Sequence, residues 1–208
     1  MIPNRSDKKK ITGLLIAAGL SSRMGQFKPL IKWNGKTFLS NIVDKLKPIC
    51  DNIVIITGNE SKTIEDYIDE NYDSEHMAIR CVHNPSYLEG MFTSLKKGIE
   101  NCKEADWILY HQVDQPNLTQ EFYNTFIEQT NNKYDWIQPT FEGRNGHPIL
   151  IGKNISQKIL HAENNTNLRM LSNNSEIKKK YWDCDSPEIF TDIDNKEDLN
   201  KLIRENND

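Results

Sequence analysis

The sequence is poor in cysteine, and its few cysteines lie far apart. Cys50, Cys81, Cys102 and Cys184 form no Cys-x-x-Cys pair and have no histidine beside them at the spacing of metal ligands. This pattern argues against a cysteine-based metal site and against a disulfide framework. We therefore expect four buried, reduced thiols and a cytoplasmic protein.

Long apolar runs and an excess of positive charge are also missing. No stretch approaches the ~20 apolar residues that a transmembrane helix requires. Lys8, Lys9 and Lys10 before an apolar run superficially resemble a signal peptide, but Gly13 and Gly19 keep that run short. The net charge is −4, so no global positive field attracts nucleic acid. We expect neither a membrane nor a nucleic acid as a partner.

The chain lacks a flexible linker rich in proline, glycine and serine. The nearest candidate, residues 141–146, is short and is typical of a loop that joins two strands. A length of 208 residues suits one domain with a substantial core. The sequence therefore predicts a single domain over residues 1–208, with residues 1–10 as a flexible N-terminal extension.

Short β-branched apolar runs alternate with helical patterns, as in βαβ units. The predicted strands are 11–17, 52–57, 78–83, 107–112, 136–141, 147–151, 180–184 and 189–193. The predicted helices are 37–46, 61–70, 91–101, 119–129, 154–161, 168–171 and 196–205. This order predicts an α/β fold: one doubly wound, Rossmann-like domain with a mostly parallel, mixed β-sheet flanked by helices. Ligands of such sheets bind beyond the carboxyl ends of the strands.

The most informative segment is the glycine-containing loop that follows the first predicted strand. It runs from Ala17 to Lys28, and it contains Gly19 and Gly25 together with the cation Arg23. Neither the Walker motif nor the dinucleotide fingerprint Gly-x-Gly-x-x-Gly is present. Glycines bring backbone N–H groups close to an anion, and the two cations add charge. The segment therefore predicts a loop that binds a triphosphate.

Acidic residues follow two other predicted strands. Asp114 comes directly after the strand 107–112, where it either binds a divalent cation or sets the geometry of a turn with Pro116. Asp192 and Asp194 belong to the end of the last predicted strand, and strand alternation would place both on one face. Asp194 or Asn195 is alternatively the N-cap of the final helix.

The run Ala-Ala-Gly-Leu-Ser-Ser-Arg-Met-Gly-Gln at positions 17–26, followed by Lys28, resembles the glycine-rich motif of the MobA-like nucleotidyltransferases. The molybdenum cofactor cytidylyltransferases are the most similar branch. Relatives that use GTP usually carry Ala-Gly-Gly where this chain has Ala17-Ala18-Gly19, so the resemblance favours CTP. Its extent, from Gly13 to Leu199, covers nearly the whole chain. Asn195-Lys196 departs from the Thr-Pro that is common before the last helix of the family, which affects the start of that helix more than the chemistry.

The resemblance assigns roles to individual residues. It implies Arg23 and Lys28 as catalytic cations and Asp114 with Asp192 as ligands of Mg²⁺, for which Mn²⁺ is a possible substitute. It implies the following nucleotide-binding residues: Ala17, Ala18, Gly19, Leu20, Ser21, Ser22, Arg23, Met24, Gly25, Lys28, Gly90 and Ser94. The residues implied on the acceptor side are Gly146, His147, Pro148 and Arg169. For Arg169 a solvent-exposed helix charge is an equal alternative.

The function that the resemblance implies is transfer of CMP from CTP to a phosphorylated pterin, the molybdopterin-type molybdenum cofactor, with release of pyrophosphate. A molybdenum hydroxylase would then be a partner that receives the product. A phosphate monoester is already anionic, so the reaction needs positioning and charge neutralisation rather than a dedicated base. The alternatives are a cytidylyl- or guanylyltransferase for a polyol or sugar phosphate, and a non-catalytic delivery protein for the cofactor.

Overall fold

The computed structural model describes residues 9–73, 78–164 and 166–205. Residues 1–8 of the expected N-terminal extension lie outside the described residues. The strands are β1 (Ile11–Ala17), β2 (Lys32–Trp33), β3 (Lys36–Thr37), β4 (Asn52–Thr57), β5 (Ala78–His83), β6 (Trp107–Gln112), β7 (Trp136–Phe141), β8 (Arg144–Asn145), β9 (Ile149–Gly152) and β10 (Lys179–Asp183). The helices are α1 (Phe38–Leu46), α2 (Ser61–Asn71), α3 (Met91–Glu100), α4 (Gln120–Ile127), α5 (Lys153–His161), α6 (Leu168–Ser172) and α7 (Lys196–Glu205).

The main sheet has the strand order β10-β7-β9-β6-β1-β4-β5, and β8 pairs with β7. β1 lies between β4 and β6 and is parallel to both. β9 is antiparallel to its two neighbours, β6 and β7. The sheet is therefore mixed and mostly parallel, which confirms the predicted fold class.

Helices cover both faces of the sheet because alternate strand residues point to opposite sides. Leu15 packs in one core cluster with residues of α1, α2 and α4. Its neighbours Leu14 and Ile16 pack in a second cluster with residues of α3 and α5. All seven residues of β1 are buried, as the continuous apolar run predicts for a central parallel strand.

The chain order creates a crevice beside β1. The strands β1, β4 and β5 are added outward in one direction, and the chain then crosses back through α3 to place β6 on the other side of β1. Such a switch point leaves a gap at the carboxyl ends of the two central strands. The loop after β1 and the loop that contains Asp114 both begin at this gap.

One predicted strand is absent from the described structure. Residues 189–193 do not pair with the sheet; a 3₁₀ helix occupies Pro187–Phe190, and irregular backbone follows up to α7. Ile189 and Ile193 are nevertheless buried, at 1% exposure each, so the apolar pattern reports burial rather than a strand. The short strands β2, β3 and β8 were not predicted.

The four cysteines are free thiols, as expected. Three of them are buried, Cys81 is partly exposed, and burial raises the pKa of Cys50 to about 12. Within the described residues, no helix combines the length and the apolar composition that crossing a bilayer requires.

A buried histidine lies in β6, close to the crevice. His111 is fully buried, its Nδ1 lies 2.7 Å from the carbonyl oxygen of Gln112, and its Nε2 lies 2.7 Å from the hydroxyl of Tyr123. Because the carbonyl can only accept, Nδ1 carries the proton and Nε2 accepts from Tyr123. Burial lowers the pKa of His111 from 6.5 to about 3, and the hydrogen bond to the carbonyl of Gln112 opposes this shift only in part.

His111 should make folding stability depend on pH. The unfolded residue binds a proton below pH 6.5, whereas the folded residue stays neutral down to about pH 3, so acidification favours the unfolded state. Within that window we expect His111 to lower the free energy of unfolding by about 1.4 kcal/mol for each unit by which the pH falls. Urea denaturation at several pH values gives the free energy of unfolding of the wild type and of His111→Gln. We expect this free energy to change less steeply with pH in the variant. Parallel slopes would contradict this account.

Candidate active site

A cleft of about 290 Å³ opens at the carboxyl ends of β1 and β6. Four charged side chains line it together with apolar and uncharged polar residues. The residues that line it are Ile16, Ala17, Ala18, Gly19, Leu20, Ser21, Ser22, Arg23, Lys28, Pro29, Tyr87, Met91, Ser94, Gln112, Val113, Asp114 and Asp194. The cleft therefore collects residues from five separate segments of the chain.

The loop after β1 is held in place by a tight turn and an apolar anchor. Ser21 and Gly25 have positive φ values of 54° and 67°, and the N–H of Met24 donates to the carbonyl of Ser21 at 3.0 Å. The side chain of Met24 is 1% exposed and belongs to the core beneath the loop. Gly19 does not have a positive φ; no atom lies within 4 Å of the position that its Cβ would take. At Gly19 the missing side chain leaves open space above the backbone rather than permitting a special turn.

The two predicted cations meet at one carboxylate. Nζ of Lys28 lies 2.9 Å from Oδ1 of Asp194 and 3.5 Å from Oδ2 of Asp114. Nη2 of Arg23 lies 2.9 Å from Oδ2 of Asp194. The side chain of Lys28 is only 11% exposed, whereas that of Arg23 is 71% exposed. A buried cation is thus joined to two carboxylates that line the cleft.

Asp114 is a carboxylate in a poorly solvated place. Its Oδ1 is buried without a hydrogen-bond partner, and its backbone carbonyl accepts from the N–H of Ile193 at 2.9 Å. Burial raises the pKa of Asp114, and the ammonium of Lys28 opposes that rise. The hydrogen bond from Lys28 instead lowers the pKa of Asp194. An unpartnered buried carboxylate oxygen beside a second carboxylate suits a hard cation.

Asp192 and Asp194 do not lie in a strand, which corrects the expectation that strand alternation aligns them, but the charges of both act on Asp114. Oδ1 of Asp192 accepts from Nε2 of Gln115 at 2.8 Å, and Asp192 does not border the cleft. The reason is that residues 191–194 are irregular backbone, so the period-two alternation of a strand does not apply. Asn195 is the N-terminal cap of α7, since its Oδ1 accepts from the N–H groups of Glu197 and Asp198.

The start of α3 contributes Ser94 to the cleft. The Nδ2 of Asn84, which is 3% exposed, donates to the hydroxyl oxygens of Thr93 and Ser94 at 3.0 Å each. Gly90 precedes the helix with a φ of 118°, which favours glycine, but it does not border the cleft. Met24 and Gly25 do not border it either. Their observed positions support the loop rather than line the cavity.

A second cavity of about 400 Å³ adjoins the cleft, and Met91 and Gln112 border both. The other residues that line it are Phe92, Leu95, Tyr110, His147, Asn167, Leu168 and Arg169. The Nδ1 of His147 is buried without a hydrogen-bond partner, and burial lowers the pKa of this ring. The structure thus brings His147 and Arg169 together from segments that are far apart in sequence.

Gly146 and Pro148 support His147 without lining either cavity. A Cβ at position 146 would lie 2.6 Å from Cβ of Ile189, so only glycine allows this approach. The N–H of His147 donates to the carbonyl of Ile189 at 3.0 Å. This packing connects the loop before β9 to the segment that carries Asp192 and Asp194.

Sequence reasoning missed several residues of this region. Tyr87 and Gln112 line the cleft, Asn84 fixes Ser94, and Gln115 holds Asp192. Asn84 and Gln115 did carry a signal, because both are polar residues within three positions of the end of a predicted strand. Tyr87 and Gln112 had no signal that separates them from ordinary loop and strand residues.

Comparison with curated proteins finds relatives along most of the chain. The molybdenum cofactor cytidylyltransferase of Escherichia coli (strain K12) is 29% identical, over 89% of this chain and 92% of that protein. A protein of Bacillus cereus (strain B4264) named "Probable molybdenum cofactor guanylyltransferase" is 33% identical, over 68% of this chain and 66% of that protein. These relatives are named for different nucleotides.

Two solved structures share the fold of this chain over most of their length. A nucleotidyl transferase from Methanothermobacter thermautotroptrophicus has a TM-score of 0.77 and 20% identity, and covers 95% of this chain and 98% of that one. The manganese complex of Rv0371C from Mycobacterium tuberculosis H37Rv has a TM-score of 0.70 and 16% identity, and covers 94% of this chain and 98% of that one.

The model of the MobA-like NTP transferase domain matches residues 13–179, a span that runs from β1 into β10. This span contains the loop after β1, Asp114 and the segment that carries His147. The chain therefore belongs to the MobA-like NTP transferase family, and it is a nucleotidyltransferase enzyme.

Proposed function

We propose that this nucleotidyltransferase transfers CMP from CTP to the terminal phosphate of a molybdopterin-type molybdenum cofactor and releases pyrophosphate. The observation that carries the proposal is the convergence of Arg23 and Lys28 with Asp114 and Asp194 at one end of a cleft. Cations beside open backbone at Gly19 suit a triphosphate. Carboxylates beside them suit the cation that accompanies it.

The choice of CTP rests on the loop sequence. Ala17-Ala18-Gly19 resembles the motif of CTP-using relatives, and the Escherichia coli relative is named as a cytidylyltransferase. The Bacillus relatives named as guanylyltransferases make GTP the competing donor. The molybdenum cofactor as acceptor is common to the names of both groups.

The acceptor would occupy the second cavity. That cavity adjoins the nucleotide cleft at Met91 and Gln112, so an acceptor phosphate there could approach the α-phosphorus of a nucleotide in the cleft. Arg169 offers a charge for an acceptor phosphate, and the unpartnered Nδ1 of His147 offers a hydrogen-bonding atom. We assign His147 to binding and not to general-base catalysis. A molybdenum hydroxylase would be the partner that receives the product.

The residues present fit a divalent cation. The described residues hold no cluster of three or more histidine, cysteine, aspartate or glutamate side chains that would bind a metal by itself. Mg²⁺ commonly takes one or two carboxylates and completes its shell with phosphate oxygens and water. We propose Asp114 as one ligand because its Oδ1 has no partner, and Asp194 as the other because it borders the same cleft. When bound, the cation neutralises charge on the phosphates; Mn²⁺, present in the Rv0371C complex, is a possible substitute.

The chain's own residues would hold the reactants. The loop amides and Arg23 would bind the β- and γ-phosphates, and Lys28 would bind nearer the α-phosphate. The attacking oxygen of the acceptor phosphate forms the new P–O bond as the bond to pyrophosphate breaks. Because the attacking group is already an anion, catalysis consists of alignment and charge neutralisation.

The direct experiment measures pyrophosphate release with each of the four nucleoside triphosphates, with and without molybdopterin carrying molybdenum. We expect release with CTP only when that acceptor is present. Release with GTP would replace the cytidylyl assignment by a guanylyl one, and release with a polyol or sugar phosphate would replace the acceptor. Binding of CTP without turnover on any acceptor would favour a delivery protein.

Removing the central cation or its carboxylate should abolish most turnover. We expect Lys28→Ala and Asp114→Ala to lower kcat/KM by about 10²–10³-fold or more, since each removes a charge that acts on the reacting phosphates. Lys62→Ala is a matched control because Lys62 pairs with Asp66 on an exposed helix surface. Near-normal rates in a folded variant would exclude that residue from the mechanism.

Substitutions of Asp192 and Asp194 should differ in their effect on the concentration of metal that the enzyme requires. We expect Asp194→Asn to raise the Mg²⁺ concentration for half-maximal activity about tenfold or more, whereas Asp192→Asn changes it little. Binding of Mn²⁺ to the CTP-loaded protein, measured by electron paramagnetic resonance, provides a readout besides activity. A larger effect of Asp192→Asn on both readouts would support the sequence expectation instead.

A further inference from the structure

Tyr87 lines the cleft, and its aromatic ring packs against bare backbone at Gly58. Gly58 directly follows β4, and a Cβ at this position would lie 2.5 Å from Cγ of Tyr87. The same Cβ would lie 2.7 Å from the carbonyl oxygen of Ala18. Real Cβ atoms do not approach other atoms so closely, so only glycine lets Tyr87 and the loop after β1 pack together here.

Tyr87 is held in this position by a buried polar network. The N–H of Tyr87 donates to the carbonyl of Asn84 at 3.3 Å, and the N–H of Ser86 donates to Oδ1 of Asn84 at 3.1 Å. The N–H of Asn84 in turn donates to the carbonyl of Thr57, the residue before Gly58. The amide of Asn84 also holds Ser94 on the adjoining helix. The network therefore positions the backbone of Tyr87 and the hydroxyl of Ser94, and both residues line the cleft.

The polarity of the cleft orients a bound nucleotide. If the phosphates lie against Arg23 and Lys28, the uncharged lining that remains for the nucleobase includes Ala18, Tyr87 and Ser94. The whole cleft measures about 290 Å³, which is at the lower end of the ~300–1,000 Å³ of small-molecule sites. A purine needs room for a second ring beside this uncharged lining, and the side chain of Tyr87 is its largest member.

We propose that Tyr87, seated on Gly58, determines specificity by limiting the nucleobase end of the cleft to a single ring. The inference rests on the proposed function in one respect, that a nucleotide binds with its phosphates at the cations. It goes further by assigning the choice between pyrimidine and purine to the size of the space beside Tyr87. The side chain of Tyr87 would exclude ATP and GTP alike because both have a two-ring base. The choice between CTP and UTP would then depend on hydrogen bonds to the edge of the base.

The test measures the binding of CTP, UTP, GTP and ATP with Mg²⁺ by calorimetry. In the wild type we expect both pyrimidine nucleotides to bind more tightly than both purine nucleotides. Tyr87→Val should raise the affinity of GTP and ATP relative to CTP by about tenfold or more, as expected for a steric limit in a pocket. The ratio of UTP to CTP affinity should stay unchanged, because both bases have one ring.

Three further variants control for loss of the hydroxyl group, for poor folding and for the loss of a tyrosine outside the cleft. Tyr87→Phe retains the ring and should retain the wild-type ratio of purine to pyrimidine affinity. Tyr87→Leu tests the same change with more apolar packing retained, should Tyr87→Val fold poorly. Tyr181→Val removes an exposed tyrosine of β10 outside the cleft and should leave all four affinities unchanged.

The outcomes separate this inference from the proposed function. A wild type that prefers CTP, with folded Tyr87→Val and Tyr87→Leu variants that keep the same ratio, would overturn the role of Tyr87 and leave the proposed function standing. A wild type that binds GTP more tightly than CTP would overturn both the role of Tyr87 and the choice of CTP. A gain for GTP without a gain for ATP would also overturn the steric role.

Discussion

The ion pairs of Lys28 hold the candidate site together. Its Nζ contacts Asp194 at 2.9 Å and Asp114 at 3.5 Å, and its backbone N–H donates to the hydroxyl oxygen of Ser21 at 3.0 Å. These contacts join the loop after β1, the end of β6 and the segment before α7. An ammonium that is only 11% exposed costs free energy to desolvate unless carboxylates compensate it. The cation and the two carboxylates therefore depend on each other.

This dependence has a consequence for ligand binding under the proposed function. Phosphates that bind Lys28 and Arg23 would compete with Asp194 for the same cations. Asp114 and Asp194 would then lose part of the charge that compensates them, while more negative charge arrives beside them. A divalent cation restores the balance. The geometry thus favours joint binding of the nucleotide and the metal over binding of either one alone.

The parts that sequence analysis predicted well are those determined by local patterns. The continuous apolar run of β1, and the alternation of strands and amphipathic helices, depend on neighbouring residues, and the structure confirms the fold class they predict. The segment 189–193 was mistaken for a strand because β-branched apolar residues also fill space in irregular segments, as Ile189 does against Gly146. The different surroundings of Asp192 and Asp194 depend on Gln115 and Lys28, which no local pattern connects with them. The packing of Tyr87 on Gly58 is likewise visible only in three dimensions.

His147 lines the second cavity and has a buried polar atom without a partner among the described residues. The Nδ1 of His147 is buried and unpartnered, and such an atom costs free energy unless a ligand or water supplies a hydrogen bond. Burial also lowers the pKa of His147, so the ring is neutral near pH 7 and adds no positive charge of its own. Under the proposed function, the charge of an acceptor phosphate must therefore be met by Arg169 or Lys28, while His147 supplies direction. These separate roles of the cations and His147 suit the proposed reaction. Its nucleophile is already an anion, so the enzyme must chiefly align the acceptor phosphate.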